Sequence, residues 1–346
     1  MSARILLVML TLICSFTHAQ TQAESADAAV LSYQGALELV LETSADLATA
    51  QLDLNSARAE LARLEADPLA LRVPLLQAEQ ALLSAEQSLR SAQLQAESSA
   101  ADAFEAALQA NDAVRLAELQ LDIDQTQADA TQIRFEAGAA TNLDVERAQN
   151  ALESAQRSLE TARQERELAY DSLRSLLGLS TAPQLQDDAP TTEVPSLESV
   201  LERQAENSLV VQAQQAVTLA QAQLAAVDND FSARSSVEAA RAALQTAQTR
   251  LSETRRSVDL SVRQTFNQVL VAERQLQSTR AELQTAEEDL AAQQVRFEAG
   301  SISPLELRQS ELALLRSQNA VRQAEDLLRQ SLRAAELSVL GAGGSP

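Results

Sequence analysis

The sequence predicts an all-α protein made of two copies of a long coiled-coil hairpin, with little or no β-structure. Three observations predict it. The chain is 45% apolar but only 2% aromatic and has no Trp, so its apolar content is mostly Ala and Leu. Such residues suit helices packed side by side and leave too few large rings for thick sheet-and-helix layers. Seven Gly and seven Pro in 346 residues are too few for the many turns of sandwiches, barrels or doubly wound folds. Finally, Arg134-Phe135-Glu136-Ala137-Gly138 recurs as Arg296-Phe297-Glu298-Ala299-Gly300, an offset of 162. The same offset takes Phe104 to Phe266, Leu121 to Leu283 and Val145 to Leu307, as an internal duplication does.

Residues 1–19 read as an export signal. Arg4 is the charged start, Ile5 to Phe16 the apolar stretch, and Thr17-His18-Ala19 the cleavage site. The stretch is too short to span a bilayer. Ile13 precedes Cys14, where a lipoprotein signal needs a small residue. Cleavage after Ala19 removes the only His and the only Cys, and losing Arg4 takes the net charge from -22 to -23. What remains has no thiol and no imidazole. That excludes disulfides, His or Cys metal sites and Ser-His or Cys-His catalysis, so no enzyme and no cofactor is expected. All 27 basic residues are Arg. The acidic balance argues against nucleic acid and anionic lipid headgroups as partners.

Breakers divide the remainder into six helical stretches, about 34–66, 75–136, 140–178, 196–227, 236–298 and 302–340. Pro68 and Pro74 end the first. Gly138, Gly178, Gly300 and Gly341 follow periodic runs, as helix C-caps do. Residues 181–195, with Pro183, Pro190 and Pro195, read as a linker. The organisation is therefore a first repeat over 20–180 and a second over 196–346, each with a medium, a long and another medium helix. The long helices, about 60 residues, reach roughly 90 Å.

The periodicity is heptad. Leu75, Leu82, Leu89, Ala96 and Ala103 form one row and Ala78, Ala85, Ala92, Ser99 and Ala106 another. Val145, Leu152 and Leu159 lie beside Ala148, Ala155, Ala162 and Ala169, and the second half repeats the pattern. A branched row beside a small one draws helices close and supercoils them. Ala313, Ala320, Leu327 and Ala334 form a further row. Two adjoining stripes give a helix two neighbours and suggest a curved wall of helices. A simple two- or four-stranded coiled coil is the alternative.

The turns between long and medium helices carry specific residues. Thr141-Asn142-Leu143-Asp144 follows Gly138, and Ser303-Pro304-Leu305-Glu306 follows Gly300. Both are capping boxes, a hydroxyl with a carboxylate three residues on, and Pro304 stands at the first helical position. Asp144 and Glu306 serve at least as caps at a positive helix end. Phe135 and Phe297 read as staples that pack the tip, with ligand stacking as the other reading.

These turns resemble the hairpin tips of TolC-like outer-membrane efflux proteins. The matching residues are Phe135, Gly138, Thr141, Leu143, Asp144 and Val145, repeated as Phe297, Gly300, Ser303, Leu305, Glu306 and Leu307. The repeat starts (Ala36 to Leu47 and Leu197 to Val211) and the ends Leu176-Leu177-Gly178-Leu179 and Val339-Leu340-Gly341 fit as well. The resemblance implies a homotrimer whose twelve helices form an α-helical barrel. It implies tips that meet a periplasmic adaptor protein and an inner-membrane pump, and a place in the outer membrane or periplasm. It also puts Glu306 at a pore-lining carboxylate position and Asp144 at an acidic tip position. Six such carboxylates at one mouth would raise one another's pKa and attract cations. The sequence departs from the family in three ways. Asp67 to Pro74 and Asp228 to Ser235 are too short for the two membrane strands the family inserts in each half, so any hold on the outer membrane is direct by other means or through a partner. Phe297 and Ile302 replace a tyrosine–arginine latch, and Gln309 replaces a second pore carboxylate. A periplasmic coiled-coil spacer or adaptor-like subunit without a pore remains the alternative function.

Overall fold

A computed structural model describes residues 30–69, 71–190, 193–229 and 231–341. The export signal expected at 1–19 lies outside the described residues. The chain is all-α. Helices α1 (Tyr33–Thr43), α2 (Ala45–Glu65), α3 (Arg72–Glu136) and α4 (Asn142–Leu177) make the first half. Helices α5 (Leu197–Glu202), α6 (Ser208–Val227), α7 (Arg234–Glu298) and α8 (Pro304–Leu340) make the second. The long helices α3 and α7 have 65 residues each and begin and end 162 residues apart. Among the described residues the only strands are two-residue pieces, Val30–Leu31 and Gln184–Leu185, paired in parallel.

Two predicted helices are each broken in two. The stretch expected over 34–66 is interrupted at Ser44, whose hydroxyl accepts a bond from the Leu47 N–H at 3.3 Å and so starts α2 afresh. The stretch over 196–227 breaks at Asn207. Its side-chain oxygen accepts from the Leu209 N–H at 3.0 Å, and its amide donates to the Ser338 carbonyl of α8 at 3.0 Å. The first long helix also starts earlier than its prolines suggest. Pro74 sits inside the first turn of α3, where an N–H has no intrahelical partner to lose.

The four longer helices pack in the order α4, α3, α8, α7, and the shorter ones lie over them, α1 and α2 on α3, and α6 on α7 and α3. Each half has its own core beneath the short helices. In the first, Tyr33, Ala36, Val40, Ala100, Phe104, Leu173 and Leu177 pack together, and the Tyr33 and Phe104 rings meet edge-on at 5.7 Å. In the second, Val262, Phe266 and Val339 occupy the positions of Ala100, Phe104 and Leu177. On α4 the predicted rows are found: Val145, Ala155, Leu159 and Ala162 are buried. On α3 they hold only in part, with Ala78 buried and Ala96 and Ala103 partly buried against the first core, because the short helices pull a neighbouring face further inward. Ala100, Ala101, Phe104, Ala107 and Leu108 are buried while Ser99 and Ala106 face solvent.

The segment 181–195, expected as a linker, is tied down where it is described. Asp188 accepts from the Tyr33 N–H at 2.8 Å, and Asp187 pairs with Arg322 at 3.1 Å. The connections α2–α3 and α6–α7, residues 66–71 and 228–233, are turns in their described residues. They expose Leu69, Leu71 and Phe231. Among the described residues no helix is long and apolar enough to cross a membrane.

Candidate functional site

The hairpin tips are built locally. In the first, Gly138 has φ 74° and lets the Ala139 N–H reach back to the Arg134 carbonyl at 2.7 Å. In the second, Gly300 has φ 70° and the Ser301 N–H bonds the Arg296 carbonyl at 2.9 Å. Both close orphan carbonyls at a helix end. Each following helix then opens with a complete capping box. The Thr141 hydroxyl accepts from the Asp144 N–H at 3.2 Å, and the Asp144 carboxylate accepts from the Thr141 N–H at 2.9 Å and hydroxyl at 2.7 Å. The Ser303 hydroxyl accepts from the Glu306 N–H at 3.2 Å, and Glu306 accepts from the Ser303 N–H at 2.7 Å and hydroxyl at 2.9 Å. Pro304 is the first residue of α8.

These bonds stabilise the ionised carboxylates. The backbone N–H of Thr141, then its hydroxyl, holds Asp144 below the usual aspartate range. The Ser303 N–H, then its hydroxyl, does the same for Glu306. In one chain both acids are therefore fixed anions on exposed tips. The upward shift expected from a ring of such acids requires several copies.

Both tips lie at the same end, because α3 and α7 both run antiparallel to α8. They are not level. Glu105 of α3 lies beside Arg329 of α8. From there α3 runs 31 residues to Glu136, whereas α8 has 25 back to Pro304. Six residues at 1.5 Å put the first tip about 9 Å further along the helix axes. Phe135 and Phe297 keep 40% and 39% of their surface exposed, and Ile133, Leu143 and Val295 are also exposed. The tips thus present apolar side chains that are only partly covered within one chain.

Sequence reasoning missed the seam that joins the two halves. The second stripe of α8 was expected along Ala313, Ala320, Leu327 and Ala334, yet Ala313, Leu327 and Ala334 are exposed. The face of α8 that meets α3 is instead a row of arginines. Arg322 Nη1 lies 3.0 Å from Asp112, Arg329 Nε 2.9 Å from Glu105, and Arg333 Nη2 2.6 Å from Asp102 and 3.0 Å from Glu105. Arg308 pairs with Asp122 and Arg329 with Asp326. Gln109 donates to Asp326 at 2.6 Å and Arg333 to the Tyr33 hydroxyl at 3.3 Å. Glu105 is only 5% exposed, so its charge is held by two guanidinium groups in a fork geometry. Burial pushes Asp326 and Asp112 above the usual aspartate range. The signal was present in the spacing, since Arg322, Arg329 and Arg333 fall on one helix face.

The sequence profile of the outer membrane efflux protein family matches residues 70–179 and 227–338. The chain belongs to this family. The two matched stretches are the two long hairpins, α3–α4 and α7–α8. Solved structures agree on the fold. The CmeC outer membrane channel of Campylobacter jejuni superposes with a TM-score of 0.61 at 11% identity, covering 90% of this chain and 86% of that one. VceC of Vibrio cholerae gives 0.58 at 15% identity, covering 90% and 96%, and CusC 0.64 at 14%, covering 89% and 92%. No match was found among curated proteins. Family and fold are those of outer membrane efflux channels, not of an enzyme family.

Proposed function

We propose that the protein is one subunit of an α-helical export conduit, part of a tripartite efflux or secretion system. Three copies close into a tunnel of twelve long helices. Their tips engage a periplasmic adaptor driven by an inner-membrane pump. The chain is exported and works in the periplasm or at the outer membrane, with 20–180 and 196–346 acting as two repeats joined by 181–195. The observation that carries the reading is the side-by-side order α4, α3, α8, α7 in a member of the outer membrane efflux protein family, with both tips at one end. The exposed apolar residues at those tips support a docking role. In this reading Asp144 and Glu306 keep their capping bonds and also form the acidic mouth, so Glu306→Gln shifts the ion preference of the reconstituted assembly. Unchanged selectivity would leave Glu306 as a cap alone.

A photo-crosslinking amino acid at Ile133 or Val295, placed in cells that make the native system, tests the docking. The expected adduct joins the tip to a periplasmic adaptor with a long helical hairpin. Adducts only with another copy of the chain contradict it. The brevity of the connections at 66–71 and 228–233 favours a second reading, a periplasmic spacer without a pore. That reading predicts a solid assembly and no effect of Glu306→Gln on ion passage.

A further inference from the structure

The duplication makes the two edges of the four-helix unit comparable with its middle. Shifted by 162 residues, the α3 face becomes the α7 face, and the α8 face becomes the α4 face. The α3–α8 seam is covered within the chain, whereas α7 and α4 are the outer edges of the order α4, α3, α8, α7. The α4 face carries the opposite charge to the α8 face, and the α7 face exchanges the three α3 carboxylates for two neutral amides and an arginine. Where α3 presents Asp102, Glu105 and Asp112 to α8, α7 carries Gln264, Asn267 and Arg274. Where α8 presents Arg322, Arg329 and Arg333 to α3, α4 carries Glu160, Glu167 and Asp171. The substitutions at the far end agree: Asp122 gives way to Gln284 and Arg308 to Glu146.

All six edge positions are exposed in the single chain. Among the described residues Arg274, Gln264 and Asn267 make no hydrogen bond or ion pair, and Glu160 is engaged only by Gln164 of its own helix. Apolar side chains lie among them. Val271 takes the place of Gln109 and is 61% exposed, and Leu168 on α4 is 66% exposed.

We propose that the α7 edge of one copy docks on the α4 edge of the next, and that the inverted charges fix this order by barring α4 from the place of α8. The inference rests on the reading that several copies close together. Laid on the geometry of the α3–α8 seam, Arg274 meets Glu160 as Asp112 meets Arg322. Asn267 meets Glu167 and Asp171, and Gln264 meets Asp171. Every pair keeps a donor against a carboxylate, with donor and acceptor exchanged between the helices. The wrong pairings repel. An α4 edge laid on α3 of another copy sets Glu160, Glu167 and Asp171 against Asp112, Glu105 and Asp102, and an α7 edge laid on α8 sets Arg274 against Arg322. Like charges facing across a seam suppress wrong partners more than they strengthen the right one. A duplicated chain needs such a rule, because its two hairpins are alike enough to exchange.

Cross-linking of the full exported chain tests this. The pair Val271→Cys with Gln164→Cys mirrors the Gln109–Asp326 contact. Treated with a short bismaleimide, it should give a covalent ladder that stops at the size of the native assembly. Each single-cysteine variant, which also controls for Cys14, should give none. Arg274→Glu or Glu160→Arg alone should raise the dissociation constant of the assembly about tenfold or more in sedimentation, and the two together should restore it. Both residues are exposed, so circular dichroism should be unchanged. Copies that assemble without the cross-link and without response to the charge swap overturn the inference while leaving a closed tube possible. A chain that stays monomeric at every concentration overturns the tube as well.

Discussion

At the tips one backbone angle per hairpin decides the residue. No atom lies within 4 Å of a side-chain carbon built on Gly138 or Gly300, so space is free and only the positive φ demands glycine. Gly138→Ala or Gly300→Ala should cost about 1–2 kcal/mol, read as a lower urea midpoint with unchanged slope. Thr141→Ala, which removes a cap, should cost about 1 kcal/mol. Titration separates the tip acids from the buried ones. Asp144 and Glu306 have depressed pKa values, so their contribution is present above the unfolded values of about 3.8 and 4.5 and is lost as pH falls through the folded ones. Asp326 is raised, so its carboxylate opposes folding at neutral pH and ceases to do so as pH falls. Asp326→Asn should therefore melt higher than the parent at pH 7, and the difference should vanish below about 3.8. The tip residues were legible because glycine, hydroxyl and carboxylate act within six positions of one another. Asp326 was not, because its burial depends on a helix more than 200 positions away.

At the scale of helices, the two long hairpins and the lengths of their helices followed from the scarcity of breakers. The breaks at Ser44 and Asn207 did not, because a single capping side chain inside a helix-forming run gives little warning. Heptad rows located the α4 core but only the margin of the α3 core, where Ala78, Ala96 and Ala103 lie, since α3 has neighbours on several sides and the covering helices decide which face is driest. The charged seam escaped for a related reason: a search for apolar stripes passes over a row of arginines. Its energetics are testable. Glu105→Ala leaves Arg329 and Arg333 facing each other with a lost acceptor and should cost about 3–5 kcal/mol in chemical denaturation. Phe104, fully buried against Tyr33, should cost a similar amount on truncation to Ala. Phe231, at the opposite end from the tips, is fully exposed. Phe231→Ser should change stability by less than about 0.5 kcal/mol.

For the molecule as a whole, the duplication carries the argument. An offset of 162 places helix against helix, core against core and tip against tip, and the same offset turns the α8 arginines into acids on α4 and the α3 carboxylates into two amides and an arginine on α7. A unit whose middle seam is satisfied and whose edges are complementary is built to be continued by copies of itself. That continuation is the central claim, and electron microscopy of the purified exported chain tests it most directly. End-on projections should show a closed ring of helices around an empty centre. Solid rods, or separate four-helix units with no lumen at any concentration, would contradict it.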